Sequence, residues 1–454
     1  MQKLLLAAVI TVLFGIFLLL PNLSEAKSSE ITREILDILH SQGDISDEKY
    51  EALKEKAAKE DDGFTTSFNR QLSINSTDGR FKIQAGGRIM IDAGHFSADK
   101  AMEAAAGKAG FEFEGNGVEF RQTRLHIKGL LYGWVAFSNE FDFSAGDVSF
   151  QENWIELQKL PYLGSMRIGH TKEPFSLERM NSRLYLMLME QSLPDGIVPG
   201  RNVGIRFLNF VDNLRVSWCA GVFKETDNGG EGYSDNGDYN FTARLTVTPW
   251  YVDDGRNVLH LGLGYSHKVA DESLRFRKRP ETHLSDFQLI DTGNIPADGA
   301  DMLGPEAAIV LGPFCLQGEY WYTRVDSETC DDPVLQGYYI TAAYFITGEH
   351  RNYQLKGNDG AEFALVNIQN PVNPGRDGWG AWEAAVRYAC VDLNDNDLNG
   401  GEMASVTLGL NWYINSNLRW SVNYVHSKVE DSTAKAGITD AEADIYQTRL
   451  SVYF

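Results

Sequence analysis

The sequence has few cysteines and lacks the short motifs that mark common enzymes and metal sites. Its four cysteines, Cys219, Cys315, Cys330 and Cys390, are far apart, and no CxxC pair or Cys/His pair at zinc spacing occurs. We expect buried thiols that act as small apolar residues, with a disulfide as the alternative. HExxH, GxSxG and P-loop motifs are missing as well. The sequence therefore predicts no metal, no other cofactor and no enzyme.

Basic residues and proline are also scarce. The chain of 454 residues has 41 Lys and Arg against 63 Asp and Glu, which gives a formal net charge of −22. Because a nucleic-acid-binding surface is basic, this balance argues against a nucleic-acid partner and makes any local group of basic residues informative. Only 13 prolines accompany 43 glycines and 24 phenylalanines. This composition is typical of a protein with many strands and turns.

Only one long hydrophobic run occurs, near the start of the sequence. Residues 4–20 follow Lys3 and end at Pro21, and the small-residue segment Ser24-Glu25-Ala26 comes next. This order predicts a secretory signal peptide over 1–26 and therefore an exported protein. A retained anchor helix is the alternative, because the run approaches the length of a membrane span. No other run reaches about 18 residues, so we expect no transmembrane helix in the mature protein.

The following segment, 27–60, has helical periodicity. Ile31, Ile35 and Ile38 recur at helix spacing, and a second helix is predicted to begin at Ser46. The apolar stripe is too short to form a stable helix alone. We therefore expect a short helical or coiled-coil periplasmic segment that needs the main domain or a partner chain, followed by a polar linker over 61–80.

Alternation of apolar and polar residues begins at residue 81 and continues to residue 454. In one segment Val406 and Leu408 alternate with Thr407 and Gly409. Sixteen such segments start near residues 81, 118, 133, 150, 164, 201, 213, 239, 257, 303, 314, 335, 379, 403, 417 and 444. An even number of alternating strands of about 10 residues is the pattern of an outer-membrane barrel, whose closure leaves no unpaired edge. The predicted fold is all-β, a 16-stranded antiparallel transmembrane β-barrel with a short N-terminal helical segment.

The connections between these segments favour a barrel over a soluble β-sandwich, which is the alternative. Short connections such as 131–133 alternate with long ones such as 173–200, as periplasmic turns alternate with external loops. One connection, 348–378, is long but falls on the turn side, which makes it a candidate plug or constriction. The acidic segment 392–402 resembles a calcium loop, but Asp397 stands where an EF-hand needs glycine. We expect a solvated acidic loop there.

The strand phases turn many basic side chains toward the inside of the barrel. Between 118 and 131, Leu125 and Ile127 belong to the apolar face, so Arg124 and Lys128 point inward. An arginine on the lipid face would cost about 2 to 4 kcal/mol near the midplane. The same argument places further residues inside: Arg88, His126, Arg167, Arg206, Arg215 and Arg244. The lumen is therefore predicted to be rich in arginine although the protein is acidic.

The stretch LRFRKRPETH, 274–283, places Arg275, Arg277 and Arg279 at every second position. In an extended chain these three guanidinium groups line one face. Arginine suits anion passage because its planar fork donates bidentate hydrogen bonds to phosphate or carboxylate and stays charged. The alternative is a charge-balanced wall, in which inward arginines pair with inward carboxylates: Asp92, Glu140, Asp142, Glu319 and Glu383.

Several blocks of the chain resemble the phosphate-selective porin O/P family of outer-membrane channels. Between 118 and 210 these are EFRQTRLHIKGLLYG, FSNEFDFS, RIGHTKEPFSLERMNS and PGRNVGIRF, and later blocks include NVLHLGLGYSH, ITGEHRNYQ and GAWEAAVRYACVDLND. The resemblance covers essentially all of 81–454. It implies a 16-stranded barrel that is usually trimeric, with a narrow pore lined by an arginine ladder and constricted by inward-folded loops.

The resemblance also assigns residues to the pore. Family arginines correspond to Arg88, Arg121, Gln122, Arg277, Arg279 and Glu281, and lysines of the constriction loop correspond to Arg179 and Arg183. The chain departs from the family at Gln122 and Glu281, and it adds Arg124 and Arg275. The predicted anion-binding and pore-lining residues are Arg275, Arg277, Arg279, Arg88, Arg121, Arg124, Lys128, Arg179 and Arg183.

These observations together predict an outer-membrane porin over 81–454 that contacts lipid and forms a homotrimer. It would allow passive diffusion of small anions, phosphate or related oxyanions, through an arginine-lined pore. A general porin of weak or cationic selectivity is the nearer alternative, because Gln122 and Glu281 replace arginines of the family. A barrel-based enzyme or adhesin is the alternative from a different class.

Overall fold

The computed structural model describes residues 36–43, 45–59, 63–108, 112–144, 146–233, 238–329, 331–357, 359–375, 377–395, 397–432 and 437–454. The predicted signal peptide and the start of the predicted helical segment lie outside these residues, as does Cys330. The other three cysteines are buried free thiols. Helices span 36–41, Asp47–Lys59, Lys100–Lys108 and Leu177–Met180. None of the described helices has the length and hydrophobicity that a membrane span requires.

The strands follow one another along the chain from Phe64 to Tyr453. They are β1 Phe64–Asn69, β2 Gln71–Ser76, β3 Lys82–Ala98, β4 Gly115–Leu131, β5 Val135–Asp142, β6 Ser149–Leu160, β7 Gly164–Lys172, β8 Arg201–Val211, β9 Val216–Lys224, β10 Asn240–Val252, β11 Asn257–Val269 and β12 Ser273–Leu274. The remaining strands are β13 Arg277–Lys278, β14 Ile290–Asp291, β15 Ile295–Leu311, β16 Phe314–Ser327, β17 Val334–Phe345, β18 Tyr353–Gly357, β19 Gly360–Phe363, β20 Ala381–Asp395, β21 Leu398–Asn415, β22 Leu418–Ser432 and β23 Ile438–Tyr453.

Sixteen of these strands form a closed antiparallel barrel, which confirms the predicted fold. The strands β3 to β11, β15 to β17 and β20 to β23 each pair with the next one in this order, and β11 pairs with β15 as β17 pairs with β20. The last strand returns to the first, with Tyr453 opposite Arg88 and Ala443 opposite Ala98. Closure leaves no unpaired edge, so the backbone hydrogen bonds of the wall are satisfied within the protein.

The two faces of the wall differ in polarity as the alternation predicts. In β21 the side chains of Leu408 and Leu410 are exposed on the outside, whereas Thr407 and Asn411 are buried inside. One inward prediction is wrong. Arg215 follows the turn Asp212–Leu214 with φ of 48°, and β9 begins only at the next residue, so Arg215 belongs to the turn and not to the wall.

Three connections fold into the barrel and fill much of its lumen. They are the loop 173–200 between β7 and β8, the loop 270–294 between β11 and β15, and the turn-side connection 346–380 between β17 and β20, which contains the β18–β19 hairpin. The long turn-side connection does lie inside the channel. The loops bury an apolar cluster against the inner face of β15–β17 and β20–β23, with members that include Phe175, Leu193, Phe276, Leu289, Trp321, Val325 and Ile445. Open space is left along the opposite wall.

Candidate functional site

A cavity of about 450 Å³ lies between the inner face of β3–β8 and the two loops 173–200 and 346–380. Nine basic side chains line it: Arg70, Arg88, Arg124, Lys128, Arg167, Lys172, Arg179, Arg183 and Arg201. Four acidic side chains line it: Glu140, Glu152, Asp359 and Glu362. The cavity is therefore strongly basic inside a protein whose net charge is −22. Its tip toward the short turns is formed by the β1–β2 hairpin and the chain end at Phe454.

Hydrogen bonds to the backbone fix the loop 173–200 beside this cavity. The hydroxyl of Ser176 accepts from the amide of Arg179 at 3.1 Å and caps the short helix Leu177–Met180. The carboxylate of Glu319 accepts from the amides of Leu177 and Glu178 at 3.1 and 2.7 Å. The ammonium group of Lys172 donates to the carbonyls of Met180 and Asn181 at 2.7 and 3.0 Å. These contacts hold Arg179 and Arg183 against the cavity.

Each of the two loop arginines meets a loop carboxylate. Arg179 donates from Nη1 to both oxygens of Asp195 at 2.9 Å. Arg183 donates from Nη1 to Glu190 Oε2 at 2.6 Å. Burial alone would favour the neutral acid at Glu190, but the guanidinium groups of Arg121, Arg183 and Arg449 outweigh it and hold the pKa of Glu190 well below its usual value. Glu190 is therefore an ionised carboxylate inside the barrel.

Arg121 reaches the lumen because of a β-bulge in β4. Gln122 pairs with Met90 and Phe120 pairs with Ile91, so Arg121 is an extra residue between them. Strict alternation would place Arg121 on the lipid face, opposite to Gln122. A bulge inserts one residue and reverses the phase of the strand beyond it. As a result, Phe120 is exposed on the outside while Arg121 and Gln122 are both buried inside.

The wall arginines of β3 and β4 share carboxylates of β5. Arg88 donates to Glu140 at 2.6 Å, and Arg124 donates to Glu140 at 3.0 Å and to Asp142 at 2.7 Å. The side chain of Lys128 has no hydrogen bond or ion pair within the described residues. The wall is therefore partly charge-balanced, and Lys128 adds a positive charge that no carboxylate contacts.

The three arginines of the stretch 274–283 lie away from the cavity. Arg275 and Arg277 are exposed on the side opposite the buried Phe276, and Arg275 donates to Asp291 at 2.8 and 2.5 Å. Arg279 turns to the carbonyls of its own loop and to Asp286. The segment is not one long strand, because β12 ends at Leu274 and β13 contains only two residues. The structure therefore does not bring these three arginines to the arginines of β3 and β4.

Comparison with known proteins identifies the barrel. A family model described as Phosphate-selective porin O and P matches residues 83–454. The chain belongs to this family. It is therefore an outer-membrane porin, and the apolar outside of its wall faces lipid. Of the predicted pore residues, five line the cavity: Arg88, Arg124, Lys128, Arg179 and Arg183. Arg121 is connected to Arg183 by Glu190, which accepts hydrogen bonds from both.

Individual relatives are distant in sequence. An uncharacterized protein of Caulobacter vibrioides is 27% identical to the porin over 394 residues, which cover 83% of this chain and 75% of that protein. Porin O of Pseudomonas aeruginosa is 25% identical over 422 residues, which cover 84% of this chain and 91% of that protein. The outer membrane channel DcaP of Acinetobacter baumannii has a TM-score of 0.52 at 11% identity, with 82% of this chain and 97% of that chain covered. This last likeness shows the fold alone.

The two departures from the family differ in their surroundings. Gln122 lines the cavity, is fully buried, and neither its amide nitrogen nor its amide oxygen has a partner within the described residues. Glu281 lies outside the cavity, 3.2 Å from Nη1 of Arg387, and it accepts from the hydroxyl of Thr407 at 2.6 Å. Of these two residues, only Gln122 therefore makes the cavity lining less positive than the family resemblance implies.

Several residues of the site were not selected from the sequence. Arg201 and Lys172 end two strands at the loop, and the acids Glu190 and Asp359 come from connections whose inward folding the alternation does not encode. One signal was available for Glu190. It is the only charged residue in the stretch LYLMLMEQSL, 184–193, and a lone acid among apolar residues indicates a buried partner.

Proposed function

We propose that this porin passes small anions, phosphate or related oxyanions, by passive diffusion, and that it acts as a channel and not as an enzyme. The observation that carries the proposal is the lining of the cavity, which contains nine Lys or Arg side chains and four Asp or Glu side chains. A protein of net charge −22 that concentrates cations in its lumen favours anions there and disfavours cations.

The chemistry of the lining suits oxyanions in particular. Guanidinium groups donate paired hydrogen bonds that match the oxygens of phosphate or carboxylate. Arg88 and Arg124 on the wall face Arg179 and Arg183 on the loop, so that an anion has donors on two sides. Conduction requires several sites of moderate affinity, because a single tight site would trap the ion. The carboxylates that share these arginines moderate the affinity of each one.

A general porin of weak or cationic selectivity is the second candidate. The observation that favours it is Gln122, which stands in the lining where the family resemblance implies an arginine. The ion pairs of Glu140 and Asp195 also neutralise part of the lining. Lys128 and the shared arginines leave an excess of positive charge, and for this reason we favour anion passage.

Reversal-potential measurements in planar bilayers under a tenfold gradient of potassium chloride test the proposal. The wild-type porin should show anion selectivity, and added phosphate should reduce the chloride current. Lys128→Gln should lower the anion-to-cation permeability ratio. Arg324→Gln is the matched control, because this exposed arginine pairs with Asp332 away from the cavity and should leave the ratio unchanged. A cation-selective wild type would overturn the proposal.

The assembly and processing of the chain are proposed from the sequence and the resemblance. We propose a homotrimer of barrels over 81–454, a signal peptide over 1–26, a periplasmic helical segment over 27–60 and a linker over 61–80. Sedimentation of the detergent-purified porin should give the mass of three chains with bound detergent. N-terminal sequencing of the same material should begin at Lys27. A monomer, or a start at Met1, would contradict these proposals.

A further inference from the structure

Glu190 has the coordination of a bound oxyanion. Its Oε1 accepts from Nε of Arg121 at 2.8 Å and from Nη2 of Arg449 at 2.6 Å. Its Oε2 accepts from Nη2 of Arg121 at 3.0 Å and from Nη1 of Arg183 at 2.6 Å. Each oxygen of a carboxylate has two in-plane lone pairs, so all four are used. Three guanidinium groups surround this one carboxylate, as they would surround a free phosphate or carboxylate ion bound in an arginine-rich site.

The cluster around Glu190 still carries an excess of positive charge. Arg449 also donates to Asp92 at 2.7 and 2.6 Å, so three arginines meet two carboxylates. The carbonyl of Met189 accepts a further hydrogen bond from Arg449. An anion that replaced Glu190 would therefore meet the same three cations with Asp92 as the remaining negative group nearby. The cluster is electrostatically able to hold such an anion.

The cluster borders the cavity through its most accessible arginine. The side chain of Arg183 is 23% exposed and lines the cavity, whereas Glu190 and Arg121 are each 10% exposed. The neighbouring residue Gln191 lines the cavity as well. An anion in the cavity thus reaches Arg183 first, and it must compete with Glu190 for that guanidinium group.

We propose that Glu190 is a tethered competitor that occupies an oxyanion position at the constriction and thereby sets the affinity of the channel for anions. This inference rests on the proposed anion passage and adds the residue that tunes it. With Glu190 in place, Arg183 already donates one hydrogen bond to its carboxylate, so a permeating anion can bind only the remaining donors of Arg183. The site therefore stays weak enough for the anion to leave, which conduction requires.

The variant Glu190→Gln tests this role, because it keeps the shape of the side chain and removes its charge. The amide retains one acceptor oxygen, but its nitrogen donates and cannot bind a guanidinium group. The uncharged amide holds the guanidinium group of Arg183 less tightly, so phosphate in the cavity should bind Arg183 more tightly than it does in the wild type. We expect the phosphate concentration that halves the chloride current to fall by roughly tenfold, the effect of about 1.4 kcal/mol. The anion-to-cation permeability ratio should rise.

Glu152→Gln is the matched control for the loss of one negative charge. Glu152 lines the same cavity, but among the described residues it accepts from one guanidinium group, that of Arg201 at 2.9 Å, and from the hydroxyl of Thr171. It should change the half-blocking phosphate concentration much less than Glu190→Gln does. Equal changes in both variants would overturn the inference. The effect would then come from the loss of any negative charge in the cavity lining, and not from the loss of the carboxylate that binds Arg183.

Glu190→Asp separates occupancy from folding. It keeps the negative charge but shortens the side chain by one methylene, so its carboxylate withdraws from Arg183. We expect a half-blocking phosphate concentration between those of the wild type and Glu190→Gln. Heat-dependent mobility on gels reports whether each variant forms its barrel. An anion-selective wild type with an unchanged half-blocking concentration in both variants would overturn this inference alone, whereas a cation-selective wild type would overturn the proposed function itself.

Discussion

Asp359 and Arg167 are 192 positions apart in the sequence, yet Nη1 of Arg167 donates to Oδ1 of Asp359 at 2.8 Å. Arg206 donates to the same oxygen. Asp359 lies between β18 and β19 at the end of the hairpin, whereas the two arginines belong to β7 and β8 of the wall. One carboxylate therefore fastens the inserted hairpin to the side of the lumen that contains the cavity.

Asp359→Asn should loosen the hairpin and widen the channel. The neutral amide leaves two buried guanidinium groups without their shared carboxylate, and Arg167 keeps its ion pair with Glu156 at 2.8 Å. Breaking a buried ion pair by removing one partner costs about 3 to 5 kcal/mol. We expect a fall of this order in the free energy of unfolding in detergent and a higher single-channel conductance in bilayers.

Lys356→Gln is the control for this change, since Lys356 lies on the same hairpin. It contacts Asp212 in an exposed pair, with 58% and 72% of the two side chains accessible. Exposed pairs contribute little, because water and salt screen them. Unfolding and conductance should both match the wild type. A conductance change in Lys356→Gln as large as that in Asp359→Asn would show that the hairpin responds to any lost contact.

Gln122→Arg should strengthen anion selectivity. Gln122 lines the cavity without a partner for its amide among the described residues, so an arginine at this position would add a positive charge to the cavity lining. The added positive charge lies beside Arg88 and Arg124, which already share Glu140. Reversal potentials should shift further toward that of chloride. A shift toward the potassium potential would contradict the assignment of this wall to the anion path.

The sequence predicted the wall of the barrel well because the solvent imposes its pattern. Lipid on one side and water on the other require alternation in every strand, so the orientation of Leu408 and Thr407 followed from their neighbours alone. The same rule failed at Arg215, where β9 starts later than its apolar residues suggest. Hydrophobic periodicity does not indicate where a turn contains a residue with left-handed backbone angles.

The site was less predictable because its contacts join distant parts of the chain. The acids that were expected to oppose the arginines lie on the wall, and the pairing of Asp92 with Arg449 agrees with that alternative. Glu190 and Asp359, however, come from inserted loops whose path depends on packing inside the barrel. Alternation alone would place Arg121 on the lipid side. Its inward position depends on the bulge in β4.

Leu408→Arg should destabilise the porin by placing a charge on its lipid face. Leu408 is 48% exposed on the outside of β21, between its neighbours Val386 and Tyr424 on the adjacent strands. An arginine near the bilayer midplane costs about 2 to 4 kcal/mol, and the cost falls to about 0 to 1 kcal/mol near the interface. Urea unfolding in lipid vesicles measures this difference.

Ala404→Arg provides the depth control for the lipid face. Ala404 points outward from the same strand but lies four residues nearer the loop end of the barrel. It should cost much less than Leu408→Arg, because its guanidinium group reaches the headgroups. Equal costs at the two positions would contradict the placement of this part of β21 in the hydrocarbon.

Acidification should release the loop 173–200 only below about pH 4, and Glu190 should be responsible. Its carboxylate is stabilised by three guanidinium groups, so its pKa in the folded porin lies well below its usual value, which the unfolded chain regains. An acid with a depressed pKa in the folded state contributes stability that is fully present above the unfolded pKa. That stability is lost as the pH falls through the folded pKa.

Thermal unfolding of the wild type and Glu190→Gln in detergent, followed by circular dichroism from pH 8 to pH 2.5, measures this contribution. The difference between the two unfolding temperatures should be constant above about pH 5 and should shrink below about pH 4, where only the wild type has a proton to gain at this position. Other acids titrate in both proteins and cancel in the comparison. If the difference in unfolding temperature stays constant down to pH 2.5, protonation of Glu190 has no effect on stability. The charge of Glu190 would then not be what attaches the loop.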